Sequence, residues 1–384
     1  MNKKQLYSLR LTLYAIRSCA VTLITLLLLL NAGNLASAQA VNEDFRASAD
    51  AFLRRLASTE PLRLEGNFVS LISGTNTLNS NPAGLSFIKT NRFATHVSRF
   101  PRTVAIIAKL NDIELYEDHS QYALRASGIE FINYSKPLGK TGGIAFDFAV
   151  GHEGRFSRVN HLGKATNSFP ETDFAIGVGY AVKLFGGLAV GADARWLRSK
   201  VQDIEGNRHI GHGYAYNLGL IQQLGEYLRI GGAIRNLSNG LSFTDNSIPD
   251  RIHRDVLLGG VYQFHRKNVA IQVGLDLNPP FEDGVRANLG GTIWYRDFIG
   301  GRIGYLRHTE KRFGSILSLE TEQIDFEERV WKTEGLTLGL GLKVRGIYIS
   351  AAYTPQMRPR GNNGEQIRIE TGKSIFTFSI EQHF

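Results

Sequence analysis

Cysteine is nearly missing from this 384-residue chain: Cys19 is the only one, and it lies within the first 40 residues. Beyond that point a disulfide framework and a thiolate metal site are excluded. Long apolar runs are missing too. After residue 40 none approaches the ~20 residues a spanning helix needs. A strong charge bias is also lacking. The formal charge is +9, and setting aside Lys3, Lys4, Arg10 and Arg17 leaves about +5. That excess is a weak signal for nucleic acid, and none is expected as a partner. Amphipathic helical periodicity is confined to one candidate, "NEDFRASADAFLRRLAS", near residues 42–58.

What is present begins with a leader. Four cations precede "AVTLITLLLLL" and then the small-residue run "NAGNLASAQA", the order of a secretory signal peptide over residues 1–40. Cleavage after Ala40 is favoured over cleavage after Ala38. Mean hydropathy is −0.14 and charged residues make up 21%, which reads as soluble. Glycine, at 41 residues, exceeds average usage of about 7% and does not fit that reading.

Parity resolves the conflict. In "IAFDFAV" Ile144, Phe146, Phe148 and Val150 alternate with Ala145, Asp147 and Ala149. "FAIGVGYAVKL", "VAIQVGLDL" and "LTLGLGLKV" repeat the pattern, bulky apolar against Gly, Ala and a scattered charge. Successive strand side chains point to opposite faces, so these are two-faced strands. The second face is too bare of charge for a solvated exterior. It suits the crowded bore of a closed barrel whose apolar face touches lipid, and only closure satisfies every backbone group there. The expectation is all-β: a transmembrane antiparallel barrel over residues 90–384. At about 21 residues per strand and connection it has about 14 strands, with twelve and sixteen left open.

The chain ends "SIFTFSIEQHF". Phe376, Phe378, Ile380 and Phe384 share one parity. Termini ordinarily fray, whereas a final strand that seals a barrel against the first cannot. The same four residues resemble the carboxy-terminal signal read by the barrel-assembly machinery of Gram-negative outer membranes, with Gln382 departing from the aromatic usually found there. The location expected is the outer membrane, with its lipid as surroundings.

Before the strands, "NPAGL" (Asn81, Pro82, Ala83, Gly84, Leu85) resembles the Asn-Pro-Ala-Gly segment of FadL-type hydrophobic-compound transporters and the related PorV/PorQ outer-membrane family. There it separates an N-terminal hatch from the first strand, which implies a hatch over residues 41–89 here. The upstream "LRLEGNFV" is similar to their glycine-rich stretch, with only Gly66 retained. "LRIGGAIRNLS", "ANLGGTIWYRDFIGGRIGYLR" and "LTLGLGLKVRGIYISAAYTP" are similar to strands of the PorV/PorQ branch. On its own physics, Pro82 fixes φ and biases Asn81 to an extended or turn conformation, and Gly84 permits a bend. A rigid kink steering the preceding chain into the lumen competes with an ordinary surface turn.

Enzyme chemistry finds no footing. "GKTGG" at 139–143 lacks the upstream glycine of a phosphate loop and reads as a hairpin turn. His209 and His212 lie on opposite faces if extended, with no third ligand near, and read as a polar loop rather than a metal site. The lumen candidates Asp147, Lys183, Asp193, Arg195, Arg235 and Asp276 are expected to brace the bore, ahead of touching substrate. Neither a cofactor nor catalysis is expected. The resemblance implies a transporter or channel for hydrophobic small molecules. Its alternative is a PorV-like component of type 9 secretion that handles secreted cargo.

Overall fold

In the computed structural model most of the strands form one sheet closed on itself. The structure describes residues 69–70, 77–100, 105–110, 113–119, 127–153, 157–159, 165–167, 171–202, 208–243, 249, 252, 254–278, 286–317, 324–355, 358–359, 367–370 and 374–384. The expected leader over residues 1–40 and the helical candidate at 42–58 lie outside them.

Fourteen strands run in chain order: β1 Arg92–Phe100, β2 Ser127–Leu138, β3 Gly142–Glu153, β4 Glu171–Lys183, β5 Leu188–Gln202, β6 Arg208–Leu224 and β7 Leu228–Phe243, then β8 Asp255–Arg266, β9 Val269–Asn278, β10 Arg286–Tyr295, β11 Ile299–Leu317, β12 Ile324–Val344, β13 Ile347–Pro355 and β14 Ser374–His383. Each pairs antiparallel with its chain neighbours, and β14 pairs with β1 from Arg92↔His383 to Arg99↔Phe376. Asn91 and Phe384 exchange backbone hydrogen bonds of 3.1 Å beside that seam. This is a closed 14-stranded up-and-down barrel, the count the length suggested.

Connections sort by end. One rim carries tight turns such as Arg345–Gly346, both at positive φ (49° and 83°), the two-residue geometry that suits twisted hairpins. The other rim carries the long connections. Three strands there, Ala105–Leu110, Ile113–His119 and Ile367–Glu370, form a separate small sheet. In outer-membrane barrels short turns are periplasmic and long loops extracellular, so the tight-turn rim is taken as periplasmic.

The expected faces hold. Phe146, Ile176, Tyr180, Val273, Leu275, Leu336, Leu338 and Leu340 are exposed on the outside, as are Phe376, Phe378, Ile380 and Phe384. Ala145, Asp147, Ala175, Ala181, Asp276 and Thr337 are buried inside. An outward apolar band this continuous would be a liability in water and is what a bilayer requires.

Two readings need correction. "HIGHG" is no loop: it lies within β6, where His212 stacks outward on Trp196 with ring centroids 5.7 Å apart. A single parity also fails along β7. Register shifts against β6 insert an extra residue twice, once beside Asn236 (φ 58°) and once beside Gly240 (φ 98°). The first flips the strand's faces and the second restores them. Arg235 and Leu241 are therefore buried in the bore, while Leu237 between them pairs with outward Tyr216.

Candidate functional site

The site begins with Asn81. It lies extended (φ −155°, ψ 105°), as a residue before proline prefers. Pro82 then opens a short 3-10 helix, Pro82–Phe87. The Asn81 side chain caps that helix by accepting from Ala83 N at 3.0 Å. Its Nδ2 donates to three backbone carbonyls: Val69 at 2.7 Å, Leu220 on β6 at 3.0 Å and Gly232 on β7 at 3.2 Å. One amide thus fastens the segment to itself and to two strands of the wall. Asn81, Pro82, Ala83, Gly84 and Leu85 are all buried inside the barrel, so the surface-turn alternative for this segment fails.

Wall glycines provide the seat. A Cβ on Gly143 of β3 would strike the Leu85 carbonyl, and one on Gly179 of β4 the Leu78 side chain. On Gly191 of β5 it would come within 2.5 Å of Ala83 N, and on Gly231 of β7 within 2.9 Å of Val69 O. On Gly219 of β6 it would run into the Asn81 carboxamide. Five successive strands each give up a side chain where the segment between Val69 and Leu85 rests, three against its backbone and two against the Leu78 and Asn81 side chains. These positions cluster toward the tight-turn rim, so the described part of the segment before β1 lies in the half of the bore taken as periplasmic. Ala83 packs there with Ala189 and Ile221, and Leu78 and Leu85 with Ala145 and Ala181.

Above this seat runs a polar tier. Arg195 lies 3.2 Å from Asp147 and 3.4 Å from Asp193. Asn217 donates both to Asp193 (3.1 Å) and to the hatch carbonyl of Leu78 (3.2 Å). Arg235 donates to Asn79 O at 2.8 Å and pairs with Asp255, which Asn278 also contacts. Asp276 accepts from Val69 N at 2.9 Å. Of the residues singled out in the sequence, Asp147, Asp193 and Arg195 form one cluster, while Arg235 and Asp276 bind the Asn79 carbonyl and the Val69 N–H of the segment before β1. Lys183 stands apart near the rim, its ammonium 4.3 Å from the Phe87 ring centroid. Asn217, Asp255 and Asn278 went unmarked in the sequence. A partner across the bore leaves no local signal.

Toward the long-loop rim the lining changes character. Ile129, Phe131, Leu197, Leu241 and Phe243 form one buried cluster with Ile252 and the small Ala149, Ala175, Ala215 and Ala352. His96 of β1 stacks on Phe131 at 4.4 Å. The expected small, partly polar bore therefore holds only for the middle and periplasmic levels. Parity alone does not mark bulky inward positions, because they use the same residue types as the outward ones. Among the described residues no group of His, Cys, Asp and Glu is placed to hold a metal ion.

Solved structures share the fold. A Pseudomonas aeruginosa FadL homologue aligns over 85% of this chain and 97% of its own, at 12% identity and a TM-score of 0.53. The Pseudomonas putida toluene transporter TodX aligns over 85% and 98%, at 13% identity and 0.51. The fold is that of the FadL-type barrels. By sequence, no protein-family model and no curated protein matches the chain.

Proposed function

We propose that this protein is an outer-membrane channel for hydrophobic small molecules, with residues 41–89 acting as its hatch. The carrying observation is the inward apolar cluster around Phe131, Leu197, Leu241 and Phe243. A barrel that passes hydrated solutes keeps a polar bore. Bulky apolar groups facing inward, above a plugged lower half, suit a guest that prefers hydrocarbon to water. The FadL-type fold supports the same reading, since the solved relatives include a toluene transporter. In the route this implies, a guest enters from the long-loop side, meets the apolar lining, and passes when the hatch shifts. The charged tier braces the hatch rather than performing chemistry. The aromatic ending at Phe376, Phe378, Ile380 and Phe384 serves recognition by the assembly machinery. The PorV-like cargo-handling alternative has no observation of its own in its favour.

The test uses full-length protein in liposomes, with toluene and a long-chain fatty acid as separate probes. Wild type is expected to bind and pass at least one of them. Phe131→Asp, which places a charge in the apolar lining, is expected to lose that binding while the barrel stays folded. Failure of wild type to bind or pass either probe would overturn the proposal.

A further inference from the structure

The outer wall carries a second feature that the channel reading leaves unused. Arg198 and Lys200 lie on β5 at the same parity as outward Trp196, and both are only half-buried. Across the β5–β6 pairing Arg198 faces His212 and Trp196 faces Tyr214. Across the β4–β5 pairing Arg198 faces Phe174 and Lys200 faces Thr172. Neither cation has an anionic partner among the described residues. The Arg198 Nε is buried without a hydrogen bond. The described outward side chains of β4, β5 and β6 include no carboxylate. Two cations with no anionic partner among the described residues therefore sit side by side on a surface that otherwise meets hydrocarbon.

Their height is what gives them meaning. Arg198 lies ten residues beyond the tight-turn end of β5 at Leu188. At about 3.3 Å per residue and a strand tilt of about 45°, that raises it roughly 23 Å along the membrane normal, close to the ~25 Å height of an apolar band. Trp196 and its partner Tyr214 lie one step lower on the strands and Phe174 lies directly across from Arg198, where interfacial aromatics belong. The cations thus stand at the level of the outer leaflet's headgroups. A guanidinium fork and an ammonium on one face are suited to phosphate oxygens.

We propose that the outer face of β4–β6 holds a phosphate-bearing lipid of the outer leaflet. Its headgroup lies against Arg198, Lys200, His212 and Thr172, and its acyl chains lie along Trp196 and the apolar band below. The inference rests on the membrane placement of the barrel and not on what the bore carries. A lumen that passes no hydrophobic guest leaves it standing.

The experiment reconstitutes the full-length protein in phosphatidylcholine nanodiscs. These contain 5 mol% (by design) of either diphosphorylated lipid A or the same lipid stripped of phosphate. Retained lipid is counted by native mass spectrometry after extraction into detergent. Wild type is expected to retain the phosphorylated form selectively. At about fivefold per cation, Arg198→Gln with Lys200→Gln lowers retention roughly 25-fold. Lys267→Gln, in the tight turn at the opposite rim, retains it like wild type. Heat-modifiable gel mobility verifies that each variant is folded. If the double variant does not fold, Arg198→Lys, which keeps the charge but loses the fork, is expected to fall between wild type and Arg198→Gln. Equal retention of both lipids by wild type, or undiminished retention by the folded double variant, overturns the assignment. So does inorganic phosphate displacing the lipid at equal concentration.

Discussion

Replacing Gly219 by alanine adds one methyl group, and its consequence is computable from the seat. The new Cβ would stand 2.8 Å from Asn81 Cγ and 3.0 Å from Pro82 Cδ, besides striking the carboxamide oxygen. Neither neighbour is a loose side-chain end. Pro82 is a ring held in the backbone, and Asn81 is pinned by its hydrogen bonds to Val69, Leu220, Gly232 and Ala83. The wall strand is held on both sides by ladder pairs, so the hatch is what gives way. Its amide carries two hydrogens, and two of its acceptors, Leu220 and Gly232, belong to the wall, so about two net bonds are at stake. At about 1 kcal/mol each the seated position loses about 2 kcal/mol. At 1.4 kcal/mol per decade, that shifts the balance between seated and unseated segment by about 30-fold. In proteoliposomes the readout is protease cleavage of the segment before β1, with gel mobility reporting the intact barrel. Gly301→Ala is the matched control, because nothing lies within 4 Å of a Cβ there. Gly219→Ala is expected to be cleaved far faster than wild type and Gly301→Ala at the wild-type rate. If all three are protected alike, the wall glycines do not hold the hatch and the argument for the seat fails.

Further outcomes follow from the same contacts. Asn81→Asp is expected to release the hatch more than Asn81→Ala, since a carboxylate would face three carbonyl oxygens where Nδ2 now donates. The cleavage assay ranks the two, and the reverse order would contradict the assigned amide orientation. Arg195→Met leaves Asp147 and Asp193 buried without their cation, at a cost of about 3–5 kcal/mol read as a lowered urea midpoint. Adding Asp147→Asn and Asp193→Asn is expected to recover much of that loss, and additivity of the three changes would argue against a coupled cluster. Phe384→Ser is expected to reduce the yield of assembled barrel in cells while leaving the unfolding midpoint of purified protein nearly unchanged. A large drop in midpoint would instead assign Phe384 to the seam with Asn91.

The barrel was legible because strand alternation is a local signal. Ile144 to Val150 declare two faces within seven residues, and repeating that pattern to Phe384 leaves little room for another architecture. The strand count came from length, and the sealing of the last strand from its aromatic parity. "NPAGL" was legible as a backbone-directing segment, since proline and glycine act on their own backbone, but kink and surface turn stayed open until the structure showed a buried 3-10 helix there.

Other features depend on contacts across the bore and left no such trace. Gly143, Gly179, Gly191, Gly219 and Gly231 come from five strands, and nothing in any one strand says that a hatch rests against it. Asp276 and Val69 are 207 positions apart, and only closure of the wall brings them together. Phe131 and Phe146 are the same residue type on adjacent strands, yet one is buried inside and the other exposed outside. Sequence by itself determined that each strand has two faces and that the whole closes into a barrel, because period and parity are properties of neighbours along the chain. Which residues meet in the middle, and which phenylalanine sees the lumen rather than the lipid, was decided only when register and curvature fixed the inside.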